Sequence, residues 1–103
     1  MDQAKLEGFV HKALGDLGSA LTASLVVLGE RLGLYRAMAT SGPVTPAELA
    51  ARTGTVERCV REWLSAQAAA GYVDYDPSTA RYALPPEHAV ALTDDDSPAC
   101  VLG

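Results

Sequence analysis

Few side chains in this sequence have the chemistry to act as acids, bases, nucleophiles or ligands, and they are scattered. The two histidines, His11 and His88, sit in no set of carboxylate and nucleophile partners that would orient them for proton transfer. Cys59 follows Glu57 and Arg58, opposite charges that give its thiol no bias toward the thiolate. It lies far from Cys100, so no Cys-x-x-Cys metal or redox spacing arises. The run Asp94-Asp95-Asp96 lacks a return ligand and reads as a solvated linker or helix entry rather than a cation site. Arg58 and Arg61 would be the phosphate or base contacts of a helix lying in a major groove. Glu57 and Glu62 stand four residues from them, and the resulting pairs Glu57–Arg61 and Arg58–Glu62, each worth about 0.2–0.5 kcal/mol, make that face close to neutral. These residue types support no catalytic, cofactor-binding or metal-ligating assignment.

The elements that would have to position such groups are also short of material. At 103 residues the chain has room for one small domain. A complete cofactor-binding enzyme on a doubly wound sheet needs several βαβ units of about 30 residues each and does not fit. Lys and Arg total 8 against 13 Asp and Glu, a net charge of -5, which argues against nucleic acid as the partner. The composition is 49% hydrophobic, more than a domain burying only about 60–70% of its surface needs, so some apolar surface is expected to meet a partner. The absence of a disulfide framework fits a reducing, cytoplasmic setting. The apolar stretch from Ala20 to Gly29 stops at Glu30-Arg31, short of a membrane span, and no membrane association is expected.

Along the chain, Leu6, Phe9, Val10, Ala13, Leu14 and Leu17 recur at helical spacing and predict a first helix. Gly15-Asp16-Leu17-Gly18-Ser19 predicts a break or kink after it. A second helix follows, with the stripe Leu21, Leu25, Leu28, Leu32 and Tyr35 beside Val26, Val27, Leu34 and Met38. Gly29 and Gly33 on it would admit another backbone closely. After Ser41-Gly42-Pro43, the segment Val44-Thr45-Pro46-Ala47-Glu48-Leu49 opens a third helix. Thr45 and Glu48 form a capping box, Pro46 takes the first helical position, Val44 staples to Leu49, and Gly54 closes the helix. Thr55 is then the expected cap of a fourth helix, one face of which is Val56, Val60, Trp63, Leu64 and Gln67. Past Gly71 the period becomes two. Tyr72–Tyr75 and Arg81–Leu84 predict a hairpin with its turn at Asp76-Pro77, carrying a cross-strand cluster of Tyr72, Tyr75 and Tyr82. Glu87–Thr93 predicts a last short helix. The expected organisation is a domain over residues 1–93, followed by an acidic linker and the start of a further element over 94–103.

This order of capped helix, tight turn, second helix and hairpin is that of a winged helix-turn-helix. The fold expected is mainly α, with two additional N-terminal dimerisation helices and a small β-hairpin wing. Leu32-Gly33-Leu34-Tyr35-Arg36-Ala37-Met38, Gly42-Pro43-Val44-Thr45, Val60-Arg61-Glu62-Trp63-Leu64 and Gly71-Tyr72-Val73 resemble the N-terminal domain of bacterial class I S-adenosylmethionine-dependent methyltransferases, including small-molecule O-methyltransferases. The similarity runs from about Leu14 to Ser97. The resemblance implies a non-catalytic dimerisation and substrate-capping module that precedes a Rossmann-like catalytic domain. S-adenosylmethionine and a small-molecule methyl acceptor would belong to the full-length protein, and no cofactor to this segment. The expected homodimer interface is Leu21, Leu25, Leu28, Leu32 and Tyr35. A winged-helix DNA-binding transcriptional regulator is the alternative, resting on helix order alone.

Overall fold

In the computed structural model, which describes residues 1–94, the chain forms α1 (Gln3–Arg31), α2 (Leu34–Ser41), α3 (Pro46–Thr53), α4 (Glu57–Ala69), β1 (Asp74–Asp76), β2 (Arg81–Ala83) and α5 (Pro86–Thr93). The expected linker and following element, from Asp95 onward, lie outside the described residues.

The break expected at Gly15–Ser19 does not occur: α1 runs unbroken for 29 residues, about 43 Å at 1.5 Å per residue. Two glycines cost about 1 kcal/mol each in a helix interior, and neither takes a left-handed conformation here. Asp2 caps the helix through its carboxylate and the Lys5 amide, and Lys12 pairs with Asp16 at 2.7 Å. The chain turns instead at Gly33, whose φ of 73° is a conformation that a residue with a Cβ avoids. That turn reverses the chain, and Leu34, Tyr35 and Met38 of α2 enter the core.

The third helix is built as its sequence predicts. Glu48 N–H donates to the Thr45 hydroxyl at 3.2 Å, Thr45 N–H donates to the Glu48 carboxylate at 2.9 Å, and Gly54 closes the helix at φ 66°. Val44 and Leu49, the staple pair, are both buried. The fourth helix is capped by Val56, with no side-chain bond, and not by Thr55, whose hydroxyl pairs with that of Thr53 at 2.8 Å. Of the face expected on this helix, Val60, Trp63, Leu64 and Gln67 are buried, whereas Val56, at its cap, is 65% exposed.

The hairpin forms with Tyr75 opposite Tyr82, their rings 4.7 Å apart; it is shorter than predicted at its open end, starting at Asp74 and finishing at Ala83, while at the turn β1 extends one residue further, to Asp76. Asp76 organises the turn, accepting from the Ser78 hydroxyl at 2.6 Å and the Ser78 amide at 2.9 Å, which hold its carboxyl below the usual range. Tyr82 also exchanges both backbone hydrogen bonds with Val44, at 2.9 and 2.8 Å, so the segment before α3 borders the wing. Tyr72 lies outside the strands and packs against the core.

The capping box has a long-range tie, because Arg81 of the wing also donates to Glu48. The Thr45 amide, and then Arg81, hold the Glu48 carboxyl below its ordinary value. A carboxylate lowered on folding contributes stability that is present above the ordinary carboxylate range and is lost as pH falls through the lowered folded value. The stability gap between the wild-type chain and Glu48→Gln is therefore expected to narrow on acidification. Urea midpoints measured across pH would show this, and a gap independent of pH would contradict it.

Candidate functional site

The residues with chemical potential are not brought together. His11 lies on the exposed part of α1, Cys59 is exposed on α4, and His88 on α5 holds the Tyr72 carbonyl at 2.8 Å through Nδ1. Asp94 follows α5, and Asp95 and Asp96 lie outside the described residues. Tyr72 borders two hollows. One, of about 310 Å³, is framed by Ala70, Glu87, His88 and Leu92; the other, of about 640 Å³, lies between α1 and the end of α4.

The helix-turn-helix surface is partly self-neutralised. Arg61 pairs with Glu57 at 2.8 Å as the sequence predicts, and Arg81 on the wing is engaged by Glu48. The expected Arg58–Glu62 pair does not form: among the described residues neither makes an ion pair, and both border a groove beside α1. Asp74 and Asp76 are exposed on the wing. Duplex binding depends on uncompensated cations displacing counterions. A random duplex pool is accordingly expected to leave nothing bound at physiological ionic strength, and retention that Arg58→Ala abolishes would contradict this.

What the surface does present is apolar. Leu6, Val10, Leu14, Leu17, Leu21, Leu25, Leu28 and Leu32 follow steps of four, four and three along α1, an eleven-residue repeat whose seam stays close to one side of a straight helix. Leu14, Leu17 and Leu21 are each more than 60% exposed, as is Phe9 beside them. Only the C-terminal part of α1 reaches the core, through Val26 and Gly29. Of the five residues expected to form the interface, Leu21, Leu28 and Leu32 lie exposed on this seam and Leu25 is partly buried against the core. Tyr35 is 1% exposed and belongs to the interior of a single chain, because the turn at Gly33 takes it off the stripe. Its hydroxyl donates to the buried Gln67 side-chain oxygen, and burial pushes its pKa well up.

The attachment of α1 was not read from the sequence. The Trp63 indole N–H donates to the Leu25 carbonyl at 2.8 Å, and the ring lies against the α1 backbone where Gly29 has no Cβ. Tyr35 meets the same indole edge-on, with ring centroids 5.0 Å apart. The signal available was a lone tryptophan on one helix and a glycine inside another. By length and composition, the unbroken α1 also meets the requirement for crossing a membrane, a test that core helices and signal sequences pass as well. The sequence reading missed this by ending the first helix at Gly15–Ser19.

A family model, the Rv2258c-like winged HTH domain, matches residues 20–94. The chain belongs to this family. The winged HTH domain is also similar to solved structures. The mitomycin 7-O-methyltransferase MmcR aligns at 25% identity and TM-score 0.77, covering 88% of this chain and 26% of that one. PigF with SAH aligns at 25% identity and TM-score 0.73, covering 86% and 28%. CalO1, a methyltransferase in calicheamicin biosynthesis in its SAH-bound form, aligns at 29% identity and TM-score 0.61, covering 95% and 27%. The chain thus spans about a quarter of the length of each of these three structures. No curated protein matches it significantly. The winged HTH domain is therefore homologous to domains of S-adenosylmethionine-dependent methyltransferases, and its helices and hairpin are those expected of the fold.

Proposed function

We propose that this winged HTH domain is the non-catalytic dimerisation and substrate-capping part of a cytoplasmic S-adenosylmethionine-dependent methyltransferase, whose Rossmann-like catalytic domain follows Gly103. The observation that carries the reading is the asymmetry of coverage. The match to MmcR takes in 88% of this chain but only 26% of that one, leaving most of a methyltransferase outside the aligned part. The exposed seam of α1 supports the dimerisation role, since contiguous apolar patches on soluble domains mark interaction sites. We read that seam as meeting protein rather than lipid, because the C-terminal turns of α1 pack onto the domain through Val26 and Gly29 on another face of the helix.

Among the described residues the two short strands are joined by a turn through Pro77, and no glycine loop runs from a strand into a helix, the arrangement that binds such cofactors. S-adenosylmethionine would be held by the following domain, and the methyl acceptor would lie between the two. We assign that contact to Tyr72, which borders both hollows at the end of α4, together with the helical segment from Leu21 to Met38.

Titration of the 103-residue chain with S-adenosylmethionine is expected to give no saturable heat, and micromolar saturable binding would overturn the assignment. In the gene, the codons after Gly103 are expected to encode a strand, a Gly-x-Gly loop and an acidic residue at the end of the next strand. A stop codon there would overturn the catalytic-domain part of the reading.

A further inference from the structure

The groove between α1 and α4 has features that a second copy of α1 would satisfy. It encloses about 450 Å³ and is walled by Leu21, Leu25 and Leu28 on one side and by Arg58, Glu62 and the Trp63 ring on the other. The two helices run in opposite directions here: the start of α4 lies beside Leu28, and its end, at Ala66–Ala70, beside Gly15–Leu25. Arg58 and Glu62 are one helical turn apart on the rim and, among the described residues, neither has an ion-pair partner.

The free end of α1 offers the matching pattern. Centring an antiparallel pair of α1 helices on Leu17 sets Leu28 across from Leu6, Leu25 across from Phe9, and Leu21 across from Ala13. The apolar seams of the two copies then lie against each other. In antiparallel pairing, the flank of one helix facing α4 meets the same flank of the copy. At 100° per residue, Glu7 and His11 lie on that flank, one turn apart, whereas Lys12, already paired with Asp16, points away. Glu7 makes no ion pair among the described residues.

We propose that the N-terminal half of α1 from a second copy seats in the α1–α4 groove, antiparallel and centred on Leu17, with its Glu7 against Arg58 and its His11 beside Glu62. The proposal rests on the dimerisation reading and specifies its surface. The contact is isologous, so each pair occurs twice. It also covers the edge of α4 carrying Arg58 and Glu62, turning part of a helix that could enter a DNA groove into a protein contact.

Sedimentation equilibrium of the 103-residue chain carrying Arg58→Glu, Glu7→Arg or both tests it. All these sites are on the surface, and circular dichroism checks that each variant keeps its helix content. Each single reversal replaces two attractive pairs by two repulsive ones and is expected to raise the dimer Kd about tenfold or more, with the double variant restored to within about threefold of the wild type. A dimer indifferent to the single reversals, or weakened by them without rescue, overturns the groove proposal and leaves the dimerisation reading standing. A wild-type monomer overturns both.

Discussion

Replacing Trp63 with alanine is expected to lower the stability of the domain by about 3–5 kcal/mol, the range for truncating a large buried aromatic. Trp63 is 3% exposed and carries three roles at once. Its ring fills the space between α1 and the helix-turn-helix, its indole N–H holds the Leu25 carbonyl, and its edge-on contact with Tyr35 adds about 0.5–1.5 kcal/mol beyond area burial. With small domains stable by only about 5–15 kcal/mol, the loss would bring this one near its unfolding threshold. Trp63→Phe keeps much of the volume and loses the hydrogen bond, so it should cost less. Urea unfolding followed by far-ultraviolet circular dichroism would rank the two, and an alanine variant as stable as the phenylalanine one would contradict this role for the indole.

The second large effect is expected at Gly29, where the sign is opposite to that of a simple helix-propensity argument. Alanine is favoured over glycine inside a helix by about 1 kcal/mol. A Cβ at position 29 would overlap the Trp63 indole and approach Tyr35 Cε2 to 2.8 Å, closer than packed carbon atoms come. Both rings are buried, so relief requires moving the α1 backbone away from the core. Overpacking of this kind costs about 1–3 kcal/mol, and Gly29→Ala should be destabilising on balance. Gly15→Ala, where a Cβ meets nothing within 4 Å, should instead stabilise by about 0.5–1 kcal/mol. Opposite signs at two glycines of one helix are the expected result, and a gain at both would show that α1 does not rest on Trp63.

The contrast between these glycines explains how much of the architecture was legible in the sequence. Signals that act over three or four residues could be read directly. Thr45, Pro46 and Glu48 specify the start of α3, Gly54 its end, and the switch from helical to alternating spacing after Gly71 the wing. Gly15, Gly18, Gly29 and Gly33 carry similar local costs, and those costs cannot decide which of them ends a helix. Tertiary packing decides: Gly33 takes the turn because Leu34, Tyr35 and Met38 must reach the core, and Gly29 stays helical under Trp63. The same turn removes Tyr35 from the apolar stripe on which the sequence had placed it. The Arg81–Glu48 pair was hidden for a related reason, since its partners are 33 residues apart and meet only once the wing folds back over the start of α3. Of the candidate site, the leucine seam was legible as periodicity. The groove beside it was not, because it exists only where α4 lies across α1.

In the function proposed above, the exposed seam of α1 holds two copies of this domain together. Sedimentation equilibrium of the 103-residue chain at micromolar concentration tests it most directly. The expected species has twice the 10.7 kDa of one chain and shifts toward monomer in Leu17→Asp, which sets a charge at the centre of the seam and, 68% exposed as that residue is, leaves the core untouched. A wild-type chain that sediments as a monomer throughout that range would contradict it.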